Sequence, residues 1–398
     1  MEPPFTYNSF NLLHVMKKMI LLAATMAATL PGIAQTDTIQ YRTFQGYLNP
    51  HERGTIHIPD ILGYRTIKAD LHLHTHQSDG GVAPYFRVWE AYQEGLDAIA
   101  LTDHQPTPRY NKNPDGNISH LQAVKDAEDR GITLIRGAEL TSMAWRANFK
   151  DVGHINLLFT TDNNRYFPRT DDVTAHQADS VLAVAQADSV WVTANHPGWP
   201  DKDSEFSQWL IGQIKKGRVH GVEIFNDFEF YPRAIDYVYD YNLTPIGATD
   251  CHWPIAWRFD LKRAHRPMTL IFARDNSVAA IREALFARRS VAYSDNTLAG
   301  RKEYVEPLLR ASVTAEKTGR TRKGKIEVAL KNVSDIPYSF ADPATNRLMV
   351  AAPLTTTYVW MDDAEMKHTW LVCNIYIRPD KHLEIQPLSL QKIATRLK

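Results

Sequence analysis

The chain is poor in cysteine, carries no excess of either charge and lacks long hydrophobic segments beyond its first 34 residues. Only Cys251 and Cys373 occur among 398 residues, so a disulfide-rich scaffold is excluded and we expect both thiols to be free. The 45 basic and 45 acidic residues cancel, and no basic stripe predicts a nucleic-acid-binding surface. No apolar run after residue 34 is long enough to predict a membrane span. Internal repeats and low-complexity segments are also missing, and the composition is that of an ordinary globular protein.

The first 34 residues have the pattern of a secretory signal peptide preceded by a short extension. Met16-Lys17-Lys18 is a basic region, the stretch from Met19 to Leu30 is almost wholly apolar, and Pro31-Gly32-Ile33-Ala34 ends in small residues. An apolar run of this length is too short to span a bilayer. We therefore expect cleavage near Ala34 and export of the mature chain to the periplasm or the medium.

From residue 67 onward, apolar segments alternate with helical ones. Strands are predicted over residues 67–74, 98–103, 132–139, 153–160, 190–196, 219–226 and 245–250. Helices are predicted over 83–94, 117–130, 173–186, 204–216 and 276–289, the first with Pro84 in its first turn. Repeating strand–helix units predict an α/β fold with a parallel sheet.

The same pattern divides the chain into four segments. Residues 1–34 form the extension and signal peptide, and residues 35–66, which are polar and mixed, form a lead-in. Residues 67–300 form the predicted barrel domain. From about residue 308 the character changes, and 326–330, 356–360 and 370–377 have the composition of strands separated by turns. Residues 301–398 are therefore predicted to form a small, mostly β C-terminal domain.

Nine side chains of the types that bind metals lie at or near the ends of six of the seven predicted strands. In a barrel, the C-terminal ends of the strands converge on one mouth. Buried charge without a partner is costly, so six imidazoles and three carboxylates gathered there indicate bound cations. In a His-x-His pair on a strand, both rings lie on the same face. The nine residues are His72, His74, Asp79, His104, Glu139, His154, His196, Asp250 and His252.

The segments that carry these residues resemble a known family when they are taken in order. They are Asp70-Leu71-His72-Leu73-His74, Thr102-Asp103-His104, Gly137-Ala138-Glu139, Gly153-His154, Asn195-His196-Pro197 and Thr249-Asp250-Cys251-His252. Together they resemble the PHP (polymerase and histidinol phosphatase) superfamily of metal-dependent phosphoesterases, in particular a secreted branch that hydrolyses phosphodiesters. The resemblance covers about residues 66 to 300 and implies a distorted (β/α)7 TIM-like barrel.

The resemblance implies two or three divalent ions, which the ligand types allow to be zinc, manganese or iron. One ion would be held by His72, His74, Glu139 and Asp250, a second by Glu139, His154 and His196, and a third by Asp79, His104 and His252. Glu139, which would bridge two ions, and Asp250 are the residues expected to act in catalysis. The implied reaction is attack of a metal-bound hydroxide on a small-molecule phosphodiester, without a covalent intermediate.

Three other functions remain open from the sequence. A phosphomonoesterase of the same family would use the same ligands. An amidohydrolase-type metal hydrolase also begins with His-x-His and ends with an aspartate on a late strand, but this chain has no lysine on the fourth predicted strand. An inactive metal-binding module would not need to keep a complete ligand set.

Four further residues have two interpretations each, and a fifth has one. Asp103 either orients a metal ligand or caps a helix. Arg258 meets either a phosphate or an acidic side chain, and a salt bridge is the preferred interpretation. Trp199 and Trp253 either wall a pocket for the leaving group or pack in the core. His220 is expected at the surface rather than in the site.

Overall fold

The computed structural model describes residues 52–107, 113–142, 149–168, 170, 172–200 and 202–390. The predicted extension and signal peptide lie outside the described residues. The strands are β1 (Arg65–Asp70), β2 (Ala98–Leu101), β3 (Thr133–Thr141), β4 (His154–Leu158), β5 (Trp191–Ala194), β6 (Gly221–Asn226), β7 (Glu229–Phe230), β8 (Thr244–Ala248), β9 (Met268–Ala273), β10 (Ser290–Ser294), β11 (Thr297–Gly300), β12 (Val313–Arg322), β13 (Lys325–Asn332), β14 (Tyr338–Asp342), β15 (Arg347–Ala351), β16 (Thr356–Met361), β17 (Trp370–Arg378) and β18 (Lys381–Ile385).

Helices lie between the strands. They are α1 (Pro84–Glu94), α2 (Ile118–Arg130), α3 (Phe149–Val152), α4 (Ala175–Ala187), α5 (Gln208–Lys215), α6 (Pro232–Asp240), α7 (Ile255–Arg258), α8 (Val278–Phe286) and α9 (Lys302–Ser312). Of these, α1, α2, α4, α5 and α8 are at the positions that the sequence predicts. Local chemistry fixes their ends. Helix α4 begins with a capping box between Thr174 and Gln177, and α1 ends at Gly95, whose φ of 85° is left-handed.

The seven predicted strands are all present and follow one another as hydrogen-bonded neighbours in the order β1, β2, β3, β4, β5, β6 and β8. The pairs β1–β2, β2–β3, β5–β6 and β6–β8 are parallel. The series closes on itself at the carboxyl ends of β8 and β1, where the Asp250 backbone N–H donates to the His72 carbonyl at 2.9 Å. The fold class is therefore the predicted α/β barrel.

Strand β4 departs from a regular repeat because it runs antiparallel to both of its neighbours. Thr141, at the end of β3, is paired with His154, at the start of β4, and Ile155 is paired with Ala194 of β5. Between β3 and β4 the described part of the connection holds only the single-turn helix α3, whereas a parallel return usually contains a longer crossover helix. The amino end of β4 therefore lies at the same mouth as the carboxyl ends of its neighbours.

Strand β9 was not among the predicted strands, although all six of its residues are buried. It pairs antiparallel with β1, and β10 pairs antiparallel with β9. Strand β8 packs tightly beside this pair through Gly247, whose carbonyl accepts a 2.8 Å hydrogen bond from the Thr269 hydroxyl. A Cβ at Gly247 would lie 2.7 Å from the Met268 carbonyl oxygen. Glycine is therefore needed where β8 approaches the neighbouring backbone.

The C-terminal region consists mainly of antiparallel strands and continues the main sheet. Strand β17 pairs parallel with β11 and antiparallel with β14 and β18, and β12, β13 and β16 form a separate three-stranded sheet. Asp335 ties this region to the barrel and the lead-in, because its carboxylate lies 2.9 Å from His265 Nε2 and accepts from the His57 backbone N–H at 2.7 Å. The boundary at residue 300 stays a prediction. Within the described residues, no helix is both long and apolar enough to cross a membrane.

Candidate metal centre

The nine predicted ligand-type side chains all meet at the mouth of the barrel. His72 and His74 follow β1, Asp79 lies in the next loop, and His104 follows β2 and forms an isolated bridge with Glu139 of β3. His196 follows β5, and Asp250 and His252 follow β8. His154 joins them from the amino end of β4, because that strand is reversed. Each apolar strand thus carries its polar terminal residues to one place.

Glu139 lies at the centre of the cluster and is 1% exposed. Its Oε1 lies 3.2 Å from His154 Nδ1, 3.4 Å from His72 Nε2 and 3.6 Å from His196 Nε2. Its Oε2 lies 2.9 Å from His104 Nδ1 and 3.4 Å from His74 Nε2. A single carboxylate therefore faces five imidazoles, which belong to all three predicted ion sites.

Asp250 joins the first pair of histidines. Its Oδ1 lies 3.0 Å from His74 Nε2 and 3.2 Å from His72 Nε2, and these two ring nitrogens are 3.2 Å apart. The buried Oδ1 of Asp250 has no hydrogen-bond partner. A carboxylate oxygen without a hydrogen bond that lies beside two imidazole nitrogens provides the ligand types of a cation site.

Asp79 gathers the remaining histidines at the outer side of the cluster. Its Oδ1 lies 3.2 Å from His252 Nε2, and its Oδ2 lies 3.4 Å from His104 Nε2. The Asp79 and His252 side chains are 36% and 32% exposed, whereas His72 and His74 are fully buried. The cluster thus runs from a buried end to a solvent-accessible end, as a site that admits a substrate requires.

Within the described residues, these side chains form three groups whose ligand atoms lie within 4.8 Å of one another. The groups are His72, His74 and Asp250; Glu139, His154 and His196; and His74, Asp79, His104 and His252. They differ from the three predicted ion sites in two respects: Glu139 is not in the first group, and His74 also belongs to the third. The donor chemistry and the spacing both fit divalent ions.

The charges in the cluster shift the pKa values of its histidines, so that metal binding is linked to their protonation. Burial lowers the pKa of His72, but the carboxylates of Asp250, Glu223 and Glu139 outweigh it and raise that pKa well above its ordinary value. For His104, burial is outweighed in the same way, chiefly by Glu139, and the pKa rises to about 10. Burial would raise the pKa of Glu139, yet the facing histidines hold it well below its usual range. Protons and metal ions therefore compete for the same nitrogens.

Glu223 of β6 is a site residue that the sequence analysis missed. It is fully buried, accepts from His72 Nδ1 at 2.8 Å through Oε1, and accepts from the His196 backbone N–H and from Asn226 Nδ2 at 2.7 Å each through Oε2. A carboxylate that fixes the far nitrogen of a ligand histidine leaves Nε2 free of its proton and aims it at the metal. The available signal was a glutamate between the apolar residues Val222 and Ile224 of the sixth predicted strand, the one strand without a predicted ligand.

Asp103 does not cap a helix. Its carboxylate accepts from the Thr75 backbone N–H and hydroxyl at 2.7 Å each, and from the hydroxyls of Ser78 and Ser119. It therefore orders the turn after His74, since Ser78 Oγ lies 3.4 Å from His74 Nδ1. Asp103 thus orients a ligand through an intermediate hydroxyl.

Arg87 of α1 ties the two ends of the barrel series together. This fully buried guanidinium donates to the carbonyls of His74, Cys251 and Trp253 at 2.6 to 2.9 Å, and it pairs with Glu90. Its charge is thereby neutralised inside the protein. The segments that follow β1 and β8 are held in register by one side chain.

A cleft of about 460 Å³ opens above the cluster. Its floor is formed by ligand-type residues, and its walls include Trp199, Asn226, Asp227, Glu229, Tyr231 and Arg258. Arg258 makes a salt bridge, as the sequence analysis preferred: its Nε donates to Asp227 at 2.8 Å, and its Nη2 pairs with the same carboxylate. Trp199 and Trp253 are 40% and 57% exposed, so neither is a core residue.

Comparison with known proteins decides the family. A sequence profile of the PHP domain matches residues 70–193. A two-domain protein from Bacteroides vulgatus, described as containing a predicted PHP-like metal-dependent phosphoesterase, is 32% identical over 84% of this chain and 98% of that chain, with a TM-score of 0.74. The chain belongs to the PHP superfamily of metal-dependent phosphoesterases.

Other solved structures are more distantly similar to this PHP protein. A lesion-specific endonuclease from Pyrococcus furiosus is 15% identical over 65% of this chain and 64% of that chain, with a TM-score of 0.40. An amidohydrolase from Chromobacterium violaceum is 15% identical over 47% of this chain and 88% of that chain, with a TM-score of 0.35. Comparison with curated protein sequences gives no significant match. The B. vulgatus similarity extends beyond the profile match and so includes more of the chain than residues 70–193.

Proposed function

We propose that this PHP protein hydrolyses small phosphodiesters at a cluster of two or three divalent metal ions. The observation that carries the proposal is the convergence of five imidazoles on the buried carboxylate of Glu139, at the floor of an open cleft of about 460 Å³. Membership of the superfamily supports metal-dependent phosphoester hydrolysis. The preference for diesters and the assignment of each ligand belong to the proposal.

We assign the ligands by the groups that the side chains form. One ion would lie between the His-x-His pair and Asp250, a second between Glu139 and its two neighbours from β4 and β5, and a third at the outer end of the cluster. The residues, in that order, are His72, His74 and Asp250; Glu139, His154 and His196; and Asp79, His104 and His252. His74 belongs to both the first and the third group, and we assign it to the first.

When bound, divalent ions supply a water of lowered pKa and positive charge for the phosphoryl oxygens. The protein's own side chains orient the proposed metal ligands. Asn195 Nδ2 donates to Glu139 Oε1 at 2.8 Å and so fixes the orientation of this central carboxylate. Asp250 is held where its Oδ1 faces the ring nitrogens of His72 and His74. We assign the catalytic roles to Glu139 and Asp250 because each carboxylate contacts several of the proposed ligands.

The charge of the cleft favours a diester over a monoester. A phosphomonoester carries a charge of about −1.5 to −2 at pH 7, whereas a diester carries one negative charge. Among the described residues that line the cleft, Arg258 is the only lysine or arginine, and Asp227 already neutralises it. Asp227 and Glu229 are acidic members of the wall. Beyond the charge that the bound ions would supply to either ester, the protein offers the second charge of a monoester no unpaired lysine or arginine in the described wall of the cleft.

The test is hydrolysis of bis(4-nitrophenyl) phosphate and 4-nitrophenyl phosphate by protein reconstituted with Mn²⁺, Zn²⁺ or Fe²⁺. We expect a higher kcat/KM for the diester with at least one metal. A higher kcat/KM for the monoester would identify a phosphomonoesterase instead. Turnover of neither substrate with any of the three metals, despite bound metal, would contradict the proposed function and favour an inactive binding module.

We further propose that the protein acts outside the cytoplasm. The support is the basic, apolar and small-residue sequence of residues 16–34. Expression of the full chain with a C-terminal tag, followed by cell fractionation and N-terminal sequencing, should place the protein in the periplasm or medium with Gln35 as its first residue. Retention of residues 1–34 on cytoplasmic protein would refute this proposal.

A further inference from the structure

Trp199 is an exposed aromatic residue held beside the proposed metal ligands. Its ring centroid lies 5.4 Å from that of His196, nearly perpendicular to it, and 5.6 Å from that of His154. Despite these contacts, 40% of the residue remains exposed, and it lines the cleft. The indole is therefore next to the place where a bound phosphate would lie and is accessible from solvent.

The loop that carries Trp199 is tightly packed rather than loose. The Trp199 backbone N–H donates to the His196 carbonyl at 3.0 Å. A Cβ at Gly198 would lie 2.7 Å from both Ser204 Oγ and Tyr231 Cδ1, so only glycine fits between the loop and the wall. The backbone that leads into Trp199 is therefore held against the wall of the cleft, as a preformed binding surface requires.

The adjoining wall of the cleft is polar, with its charges paired. Asp227 pairs with Arg258, and the Tyr231 hydroxyl donates to Glu229. These four side chains can accept or donate hydrogen bonds to a polar substituent. A long alkyl chain would gain little there, because it would cover these groups without replacing their hydrogen bonds to water.

We propose that Trp199 is the residue that selects the substituent of the phosphate ester, by stacking on a planar ring whose polar groups face the Asp227–Arg258 and Glu229–Tyr231 pairs. The ligand class is a ring-bearing ester, either an aryl or a nucleoside phosphate. This inference rests on the proposed function, since it places the phosphate at the metal cluster. The cleft volume of about 460 Å³ lies within the range of roughly 300 to 1,000 Å³ that is usual for small-molecule sites.

The chain also offers a reason to expect a small ester rather than a polymer. Its 45 basic and 45 acidic residues cancel, and binding along a nucleic-acid backbone depends on clustered positive charge. Stacking of one ring on an aromatic side chain strengthens binding by roughly 5- to 100-fold without such charge. One ring and one phosphate are therefore the recognition unit that the site supports.

The experiment measures binding without turnover, by calorimetry on metal-reconstituted protein. Phenylphosphonate and methylphosphonate carry the same acid group, differ in the ring, and have a P–C bond that the reaction does not cleave. We expect phenylphosphonate to bind roughly 5- to 100-fold more tightly than methylphosphonate. A thymidine analogue that carries a 5′-phosphonate, and so also has a P–C bond that the reaction does not cleave, distinguishes the two sources of the ring. Tighter binding than phenylphosphonate indicates a nucleoside ester, and weaker binding indicates an aryl ester.

Three variants separate stacking from a structural role. Trp199→Ala should abolish the preference for phenylphosphonate and leave methylphosphonate binding within about twofold, because only the ring loses its partner. Trp199→Phe should restore most of the preference. Trp257→Ala removes an indole that is 79% exposed on α7 and is not among the cleft-lining residues, so it should change neither affinity.

Two outcomes would overturn the inference. One is equal binding of the two phosphonates by the wild-type protein, and the other is a ring preference that survives in Trp199→Ala. Failure of the proposed function is distinguishable, because it would appear as no hydrolysis of bis(4-nitrophenyl) phosphate while the ring preference in binding remained.

Discussion

Replacement of Glu223 by glutamine should weaken metal binding although Glu223 itself is not a proposed ligand. The carboxylate accepts three hydrogen bonds, from His72 Nδ1 on one oxygen and from the His196 N–H and Asn226 Nδ2 on the other. Glutamine has nearly the same shape but only one accepting oxygen. If the NH₂ group of the glutamine faces the His196 backbone N–H, two hydrogen-bond donors face each other and neither has an acceptor. If it faces His72, Nδ1 must accept and the proton moves to Nε2, the nitrogen aimed at the metal.

The size of the effect on metal affinity follows from these two orientations of the glutamine amide. Each orientation breaks hydrogen bonds of a fully buried side chain. The second orientation also places a proton on His72 Nε2, so that this nitrogen can no longer bind a metal ion. Loss of the carboxylate that orients a metal-binding histidine typically reduces metal affinity by roughly 10- to 100-fold. We expect a loss of that size for the ion nearest His72, with a parallel fall in activity at limiting metal and recovery at excess metal.

The assay is competition for Zn²⁺ or Mn²⁺ between the protein and a chromophoric chelator. Glu283→Gln is the matched control, since that glutamate is 50% exposed on α8 and pairs with Arg289. Thermal unfolding in excess chelator separates a folding defect from a metal defect. Unchanged affinity in a folded Glu223→Gln variant would refute the role given to the hydrogen bond with His72.

Three further predictions concern the ligands, the pH dependence and the barrel. Asp250→Ala should lose bound metal and activity together, and retained metal stoichiometry, measured by elemental analysis, would refute its assignment as a ligand. Burial lowers the pKa of His220 to about 4, and its Nδ1 accepts from the Val192 N–H at 3.1 Å. A folded pKa below the unfolded value of about 6.5 means that this histidine costs up to roughly 3 kcal/mol of stability as pH falls from about 6.5 to about 4. His220→Asn keeps an acceptor that does not titrate, so urea unfolding at pH 7 and pH 4.5 should show a smaller loss than in wild type, and an equal loss would contradict the assignment. Gly247→Ala should destabilise the protein by about 1 to 3 kcal/mol or more in urea unfolding, because its Cβ would collide with backbone atoms of β9 and β10. Gly212→Ala, at an open position in α5, should instead be neutral or stabilising, and equal effects of the two would refute the close-approach argument.

Much of the barrel and the ligand set could be predicted because the relevant signals are local. Apolar runs that end in His, Asp or Glu mark both the strands and the residues at their ends, as in Thr193-Ala194-Asn195-His196. Periodicity of apolar residues and capping residues such as Ser277 and Thr174 mark the helices. These features depend on neighbours within a few residues, so a single sequence contains them.

Other features could not be predicted because they depend on distant partners. Strand β9 resembles any short apolar run until β1 and β10 are placed beside it. His220 was expected at the surface, but it is half-buried, and its ring accepts from the backbone of β5. Glu223 has no local motif, and its role exists only because His72, 151 residues earlier, lies 2.8 Å away.

The sequence by itself determined the α/β class, the seven strands and the nine ligand-type residues, since each is a property of local composition and order. Only the tertiary structure decided that β4 runs antiparallel to β3 and β5. The direction matters because His154 precedes its strand's apolar residues, and a parallel β4 would carry it to the opposite end of the barrel. Tertiary structure likewise decided the central position of Glu139 and the partner of His72. The direction of a strand depends on which strands pair with it, and the contacts of a buried polar side chain depend on where it can find hydrogen-bond partners. Both involve residues that are far apart in the sequence, so a short stretch of chain does not determine them.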